Sequence, residues 1–178
     1  MRPLRNVYAV DADAERARTF ARAIADDLCI DVEATDDLRA AARASDIVVT
    51  CTPSTVPLLF AGFLAPGAFV AAIGADSEDK QEVDAALLGS VKLVTDVTAQ
   101  CLAIGDLHHA VAAGLLAPQD VHAELGEIVA GRRAGRRTDD EIIVFDSTGM
   151  ALQDVAAAAA VYEAALADGR GSEVVLSD

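Results

Sequence analysis

Short runs rich in β-branched residues alternate with helical patterns along most of this chain. That alternation restricts the fold to strand-helix-strand units around a mostly parallel sheet, an α/β class of the doubly wound, Rossmann-like kind. Residues 6–10 read as a strand that ends at Asp11, and Asp13 is placed to cap a helix with Phe20, Ile24 and Leu28 on one face. Residues 30–32 are a second strand and residues 35–44 a short alanine-rich helix. The runs 46–50 and 68–73 lack polar alternation, so both are expected at the centre of the sheet with helices on either side. Residues 91–95 make a fifth strand, followed by helices over 98–113 and 119–130. The second of these carries Val121, Leu125, Ile128 and Val129 on one face and stops at Gly131. Residues 141–145 form a last strand. A final helix over about 150–167 repeats Leu152, Val155, Ala159, Tyr162 and Leu166 at spacings of three and four, the pattern of a packing face. The expected organisation is one partial domain over 1–178, with its core at about 5–147 and a loose tail at 169–178.

A chain of 178 residues, 53% of them hydrophobic, can bury a core without disulfide or metal support. The net charge of −15 repels nucleic acid and anionic membrane, both of which are bound through Lys and Arg. Cys29, Cys51 and Cys101 are odd in number and lack C-x-x-C spacing, so they are expected to be buried thiols in a reducing compartment. Pro57, Gly62, Pro66 and Gly67 break the longest apolar stretch, and residues 1–5 lead into no signal-peptide core. A cytoplasmic location is expected.

In an open parallel sheet, ligands bind beyond the carboxyl ends of the strands. The tips here hold Asp11, then Thr50-Cys51-Thr52-Pro53-Ser54, then Gly74-Ala75-Asp76, and finally Asp146-Ser147-Thr148-Gly149. Two readings of Asp11 stand side by side: an acid that accepts hydrogen bonds from the adenosine ribose hydroxyls of NAD, or an ordinary turn aspartate. On the first reading NAD is preferred over NADP, because the next residue is Ala12 and not an arginine. Asp76 follows a strand and precedes Lys80, one of only two lysines in an arginine-rich chain. The pair reads as proton chemistry at a cleft or as part of a solvated charged loop. His108, His109 and His122 lack metal-ligand spacing, and no G-x-S-x-G or G-x-x-x-x-G-K-[ST] motif is present. The arginines from Arg132 to Arg137 read as a solvated loop past a helix end.

The succession 46–54, 64–68, 73–76, 123–128 and 145–154, from Asp46-Ile47-Val48-Val49-Thr50 to Phe145-Asp146-Ser147-Thr148-Gly149, resembles the ornithine cyclodeaminase/mu-crystallin family. The resemblance implies NAD-dependent hydride transfer at the α-carbon of a small amino or imino acid, as in ornithine cyclodeaminase, alanine dehydrogenase or ketimine reductase. It implies Asp76 as the catalytic acid, with Lys80 and Thr148 at the substrate and Lys80 also at the cofactor. Asp11, Thr52, Val70, Ala71, Ala72 and Ser147 would line the dinucleotide. By the same resemblance the chain starts at the family's second nucleotide-binding strand, since no G-x-G-x-x-G follows a strand and Gly169-x-Gly171 lacks the third glycine. The expected consequences are exposed sheet edges, association into a homo-oligomer, and doubtful activity of this chain alone. A catalytically inactive remnant, or a nucleotide-binding or interaction module of the same fold, is the alternative.

Overall fold

The computed structural model describes residues 3–172 and residue 174. The first strand, β1 (Asn6–Ala9), leads through Asp13 into helix α1 (Ala14–Leu28). The Asp13 carboxylate accepts the N–H groups of Glu15 and Arg16, as an N-cap should. Strand β2 (Asp31–Ala34) returns parallel to β1, and helix α2 (Leu38–Arg43), capped by Asp37, leads to β3 (Ile47–Thr50). Then follow β4 (Phe69–Ala72), helix α3 (Ala85–Leu88), β5 (Lys92–Thr95), helices α4 (Thr98–Ile104) and α5 (Asp106–Ala112), and β6 (Ala123–Glu124). Helix α6 (Leu125–Val129), β7 (Ile143–Asp146) and helix α7 (Ala151–Asp168) complete the described elements.

All pairings between strands are parallel, and they form two sheets: β1-β2, and β3-β4-β7-β5-β6. The α/β Rossmann-like expectation therefore holds. The last strand of the sequence sits in the middle of the larger sheet, between β4 and β5. The strand expected to share the centre, β3, is instead an edge, with Ile47 46% and Val49 56% exposed. No described strand joins β3 to β1, so one side of each has no ladder partner.

Register aligns Val48, Val70, Val144 and Leu93 in one row across the sheet. That row faces the core and packs with Leu59, Leu88 and Leu107. One residue pair further on, Thr50, Ala72, Asp146 and Thr95 form a second buried row at the carboxyl ends. The core is thus apolar in its middle and polar at one rim.

Several expected helices are shorter than their sequence patterns. The run 98–113 breaks at Gly105, where the chain is extended between α4 and α5. A Cβ there would lie 2.7 Å from Asp146 Oδ2 and 3.0 Å from the Cα of Cys101, so the close approach of the carboxylate requires glycine. The run 119–130 is a 3-10 turn (Pro118–Asp120), then β6, then the five-residue α6; Val129, assigned to its buried face, is 80% exposed. On α1 the buried side chains are Ala17 and Ala21, not Phe20 and Leu28, which are both 52% exposed. Methyl-sized residues let α1 lie close against its two strands. Cys29 and Cys51 are exposed and only Cys101 is buried, which corrects the expectation of three buried thiols. No residue of α7 is buried, so its repeating apolar positions do not form a packing face within the described structure.

Gly105→Ala should destabilise the fold by about 2–3 kcal/mol, the range for forcing a methyl group into a closed site. Chemical denaturation checks this. Unchanged stability would show that the Asp146 contact tolerates displacement.

Candidate functional site

The polar rim is built on carboxylates that grip the main chain of neighbouring segments. Glu82 is fully buried and joins two strand tips: Oε1 accepts the Thr52 N–H at 2.5 Å, and Oε2 accepts the Gly74 N–H at 2.9 Å. A Cβ on Gly74 would lie 2.5 Å from both the Glu82 carboxylate and the Thr52 carbonyl oxygen. The Glu82 carbonyl accepts the N–H groups of Leu58 and Leu59, so one residue holds three segments. Thr52 and the Gly74 turn are therefore in fixed apposition.

Asp76 and Lys80 follow on the same turn. Lys80 Nζ donates to Asp76 Oδ1 at 2.5 Å, and this hydrogen bond holds the Asp76 carboxyl below its usual range. The Asp76 side chain is 56% exposed and that of Lys80 27%, so the pair stands at the mouth of the rim. The Lys80 carbonyl is bound in turn by His109 Nε2 at 2.8 Å.

On the other flank Asp96, just past β5, organises the turn after β7. Its Oδ2 accepts the Ser147 hydroxyl at 2.9 Å and the N–H groups of Thr148 and Gly149 at 3.0 and 2.9 Å. Ser147 is thereby committed to Asp96. The Thr148 hydroxyl is buried and has no hydrogen-bond partner, as is the Thr50 hydroxyl at the tip of β3. Buried hydroxyls are normally bonded, so each marks unused polar capacity at a strand tip.

Of the other residues singled out in sequence, Val70 and Ala72 point into the core, and Ala71 is half-buried on the opposite face of β4. Asp11 lies at the end of β1, in the separate two-stranded sheet. Its Oδ1 accepts the Asp13 N–H at 2.8 Å, the geometry of a turn aspartate, and its Oδ2 lies 3.7 Å from Arg16 Nη1. Arg16 thus places a guanidinium beside Asp11 although the next residue in sequence is Ala12. No hydrogen bond connects Asp11 to Thr52, Asp76 or Ser147 among the described residues. The structure thus brings Thr52, Asp76, Lys80, Ser147 and Thr148 to one rim and sets Asp11 on a second element.

Sequence reading missed Glu82, Asp96 and Asp106. The rule applied to the other strand tips, extended to the fifth, would have found Asp96 directly after Thr95. Glu82 and Asp106 carry no such local signal, because their partners lie 30 and 24 residues away.

A parallel sheet with helices, polar strand tips and a carboxylate-lined rim defines the doubly wound α/β class of ligand-binding proteins. Comparison with known proteins narrows this: the family described as ornithine cyclodeaminase/mu-crystallin matches residues 1–169, and the chain belongs to that family. It is 40% identical over 170 residues to the alanine dehydrogenase of Archaeoglobus fulgidus, an alignment covering 94% of this chain and 51% of that protein. The structure is similar to that of Thermococcus litoralis Δ1-pyrroline-2-carboxylate reductase in complex with NADH and L-proline. There the TM-score is 0.90 at 30% identity, over 96% of this chain and 53% of the other. It is also similar to the iminosuccinate reductase of Paracoccus denitrificans in complex with NAD+, with TM-score 0.86 at 36% identity, over 97% of this chain and 52% of the other. The chain spans about half the length of the curated relatives it matches.

Two buried acids give the rim a distinctive pH dependence. Burial is the main cause that raises Asp106 to about 6 and Asp146 to about 7. An acid whose folded pKa exceeds its unfolded value binds its proton more tightly in the native state, so its contribution to stability is lost as pH rises through the folded pKa. Glu141 is held down to about 2, chiefly by the Lys92 hydrogen bond, so its contribution changes only at lower pH. Stability, and with it the melting temperature, should therefore fall between about pH 4 and pH 7, stability by on the order of 1 kcal/mol per pH unit for each buried group. Asp146→Asn should flatten that slope, and a wild-type melting temperature that is level or rising over this range would refute it.

Proposed function

We propose that this chain carries the nucleotide-binding and proton-handling part of an NAD-dependent enzyme that moves hydride at the α-carbon of a small amino or imino acid. The observation that carries the reading is the Asp76–Lys80 pair at the carboxyl rim of a parallel sheet, on a turn fixed to Thr52 through Glu82. Its support is the family membership together with relatives whose names are dehydrogenase and imino-acid reductase. The proposed unit is one partial Rossmann domain over 1–178, cytoplasmic and acting as a homo-oligomer.

The residues present fit a dinucleotide. Gly74 lets its turn close on the Glu82 carboxylate and the Thr52 carbonyl, which fixes the rim against which a dinucleotide would lie, and the orphaned Thr148 hydroxyl offers a polar atom next to Ser147. Asp11 Oδ2 has only a loose, exposed partner in Arg16, which leaves it able to accept ribose hydroxyls. In this reading Asp11, Thr52, Lys80 and Ser147 hold the cofactor, with Val70, Ala71 and Ala72 as the strand beneath it. The bound nicotinamide supplies or accepts the hydride. Asp76 is the catalytic residue: kept ionised by Lys80, it takes a proton from the substrate amine or from water and returns it. Lys80 and Thr148 orient the substrate.

The split between the two sheets favours a second reading, a nucleotide-binding or interaction module without turnover. Calorimetric titration with NADH, followed by assay of cyclic imino-acid reduction, separates the two. Binding with turnover supports the enzyme, binding alone supports a nucleotide-binding module, and no heat with no turnover supports an inactive remnant or interaction module. Where turnover is seen, Asp76→Asn should lower kcat by about 100-fold or more while NADH affinity stays within about twofold. An equal loss of affinity would assign Asp76 to cofactor binding instead. Asp11→Ala should weaken NADH by roughly tenfold, the worth of a charge-assisted hydrogen-bond pair.

A further inference from the structure

Beyond the residues at the rim, three buried carboxylates are wired in series behind it. Asp146 Oδ1 and Oδ2 accept the N–H groups of Asp106 and Leu107 at 3.3 and 2.9 Å. Asp106 Oδ1 accepts the N–H groups of Glu82 and Val83 at 2.8 and 2.9 Å. Glu82 accepts those of Thr52 and Gly74. Each acid thus sets the main-chain position of the next, and the series ends on the two turns that frame the proposed cofactor cleft. All three residues are fully buried. Among the described residues no lysine or arginine forms an ion pair with any of them.

We propose that Glu82, Asp106 and Asp146 are a chain of positioning residues for the cleft, and that a proton on Asp106 Oδ2 sets the spacing of the Thr52 and Gly74 turns. The geometry requires a neutral member. Three adjacent carboxylates with no lysine or arginine paired to them, and only His109 nearby to oppose their charge, repel one another in a medium of low dielectric constant, and binding a proton relieves this at least cost. Asp106 is the member with a free site: its Oδ2 is buried and has no hydrogen-bond partner, whereas both oxygens of Glu82 and of Asp146 are occupied. Burial shifts both Asp106 and Asp146 upward, and the unpartnered oxygen is what singles out Asp106.

The titratable groups that face the chain are Asp96 beyond β5, Cys101 on α4 and His109 on α5. Cys101 Sγ donates to Asp96 Oδ1 and to the Asp146 carbonyl, and His109 binds the Lys80 carbonyl. When the Asp106 proton leaves, the new charge faces Glu82 and Asp146. The repulsion is transmitted through Glu82 to the Thr52 and Gly74 N–H groups. His109, on the same helix as Asp106, links this movement to the segment bearing Lys80.

The positioning role rests on the cofactor cleft proposed above; the proton on Asp106 does not. The test is carboxyl-carbon and amide NMR of the full chain from about pH 5 to about pH 8, on wild type, Asp106→Asn and Glu82→Gln. In wild type the Asp106 carboxyl carbon should titrate at about 6, apart from the exposed acids, and the Thr52 and Gly74 amide shifts should follow the same midpoint. Asp106→Asn should abolish those amide movements and hold both signals near their low-pH positions. Glu82→Gln, which leaves one N–H without an acceptor, should uncouple them while Asp106 still titrates. Asp106 titrating with the exposed acids, or Thr52 and Gly74 keeping their pH response in Asp106→Asn, would overturn the proposal. The wild-type titration decides this even where a variant does not fold. NADH affinity should vary by about threefold or more across the midpoint in wild type and be level in Asp106→Asn. If NADH fails to bind wild type at every pH, the cofactor reading fails and the NMR still decides whether the chain exists.

Discussion

The structure depends on how the carboxyl end of β7 meets the break between α4 and α5. Asp146 is the last residue of the central strand, and its carboxylate takes the first two N–H groups of α5. Those groups are among the donors that a helix start leaves unpaired, and here they lie inside the protein where water does not serve them. The contact is possible because Gly105 has no Cβ. It fixes α5 relative to the sheet and, through Asp106, fixes Glu82. The positions of Thr52, Gly74, Asp76 and Lys80 all follow from that one arrangement.

This explains why the rim is rich in acids yet contains few ion pairs. A salt bridge fixes two side chains, whereas a carboxylate that accepts two main-chain N–H groups fixes backbone. Backbone placement is what a cleft needs when a ligand must approach the chain closely. The cost is that several acids share one low-dielectric region, which burial and mutual repulsion convert into raised proton affinity at Asp106 and Asp146. The exposed pair at Asp76 and Lys80 has the opposite character. There the cation lies at the carboxylate, and the acid is held ionised. Two acidic environments with opposite proton preferences thus sit on either side of Glu82.

Much of the architecture was legible because strand composition and turn residues carry local signals. β1, β3, β4 and β5 lie within the expected runs, β7 overlaps its run and ends one residue later at Asp146, and Asp13 and Gly131 act as the cap and the left-handed stop their positions imply. Strand order was not legible. Placing β7 at the centre and β3 at an edge is a matter of long-range pairing, and continuous apolar runs such as Ile47–Thr50 look the same in either position. The break in 98–113 has one local sign, Gly105, but what fixes it is a carboxylate 40 residues later in sequence. At the proposed site, local sequence marks Asp76 with Lys80 as candidates, and position at a strand tip marks Ser147 with Thr148. Glu82 and Asp106 act through main-chain groups far away in sequence and leave no motif.

The apolar surface that remains open has a consistent distribution. It includes the β3 face with Ile47 and Val49, Phe20 and Leu28 on α1, and α7 with Leu152, Val155, Tyr162 and Leu166 each more than 60% exposed. The unpaired sides of β1 and β3 add main-chain donors and acceptors to it, and such edges invite pairing. Acidic charge opposes indiscriminate association of this surface: the chain carries −15 overall, and α7 itself bears Asp154, Glu163 and Asp168 with no basic residue. Two α7 helices brought face to face would pair apolar stripes but also crowd six like charges. Any homo-oligomer would therefore gain more from contacts through the sheet edges than from α7 against α7.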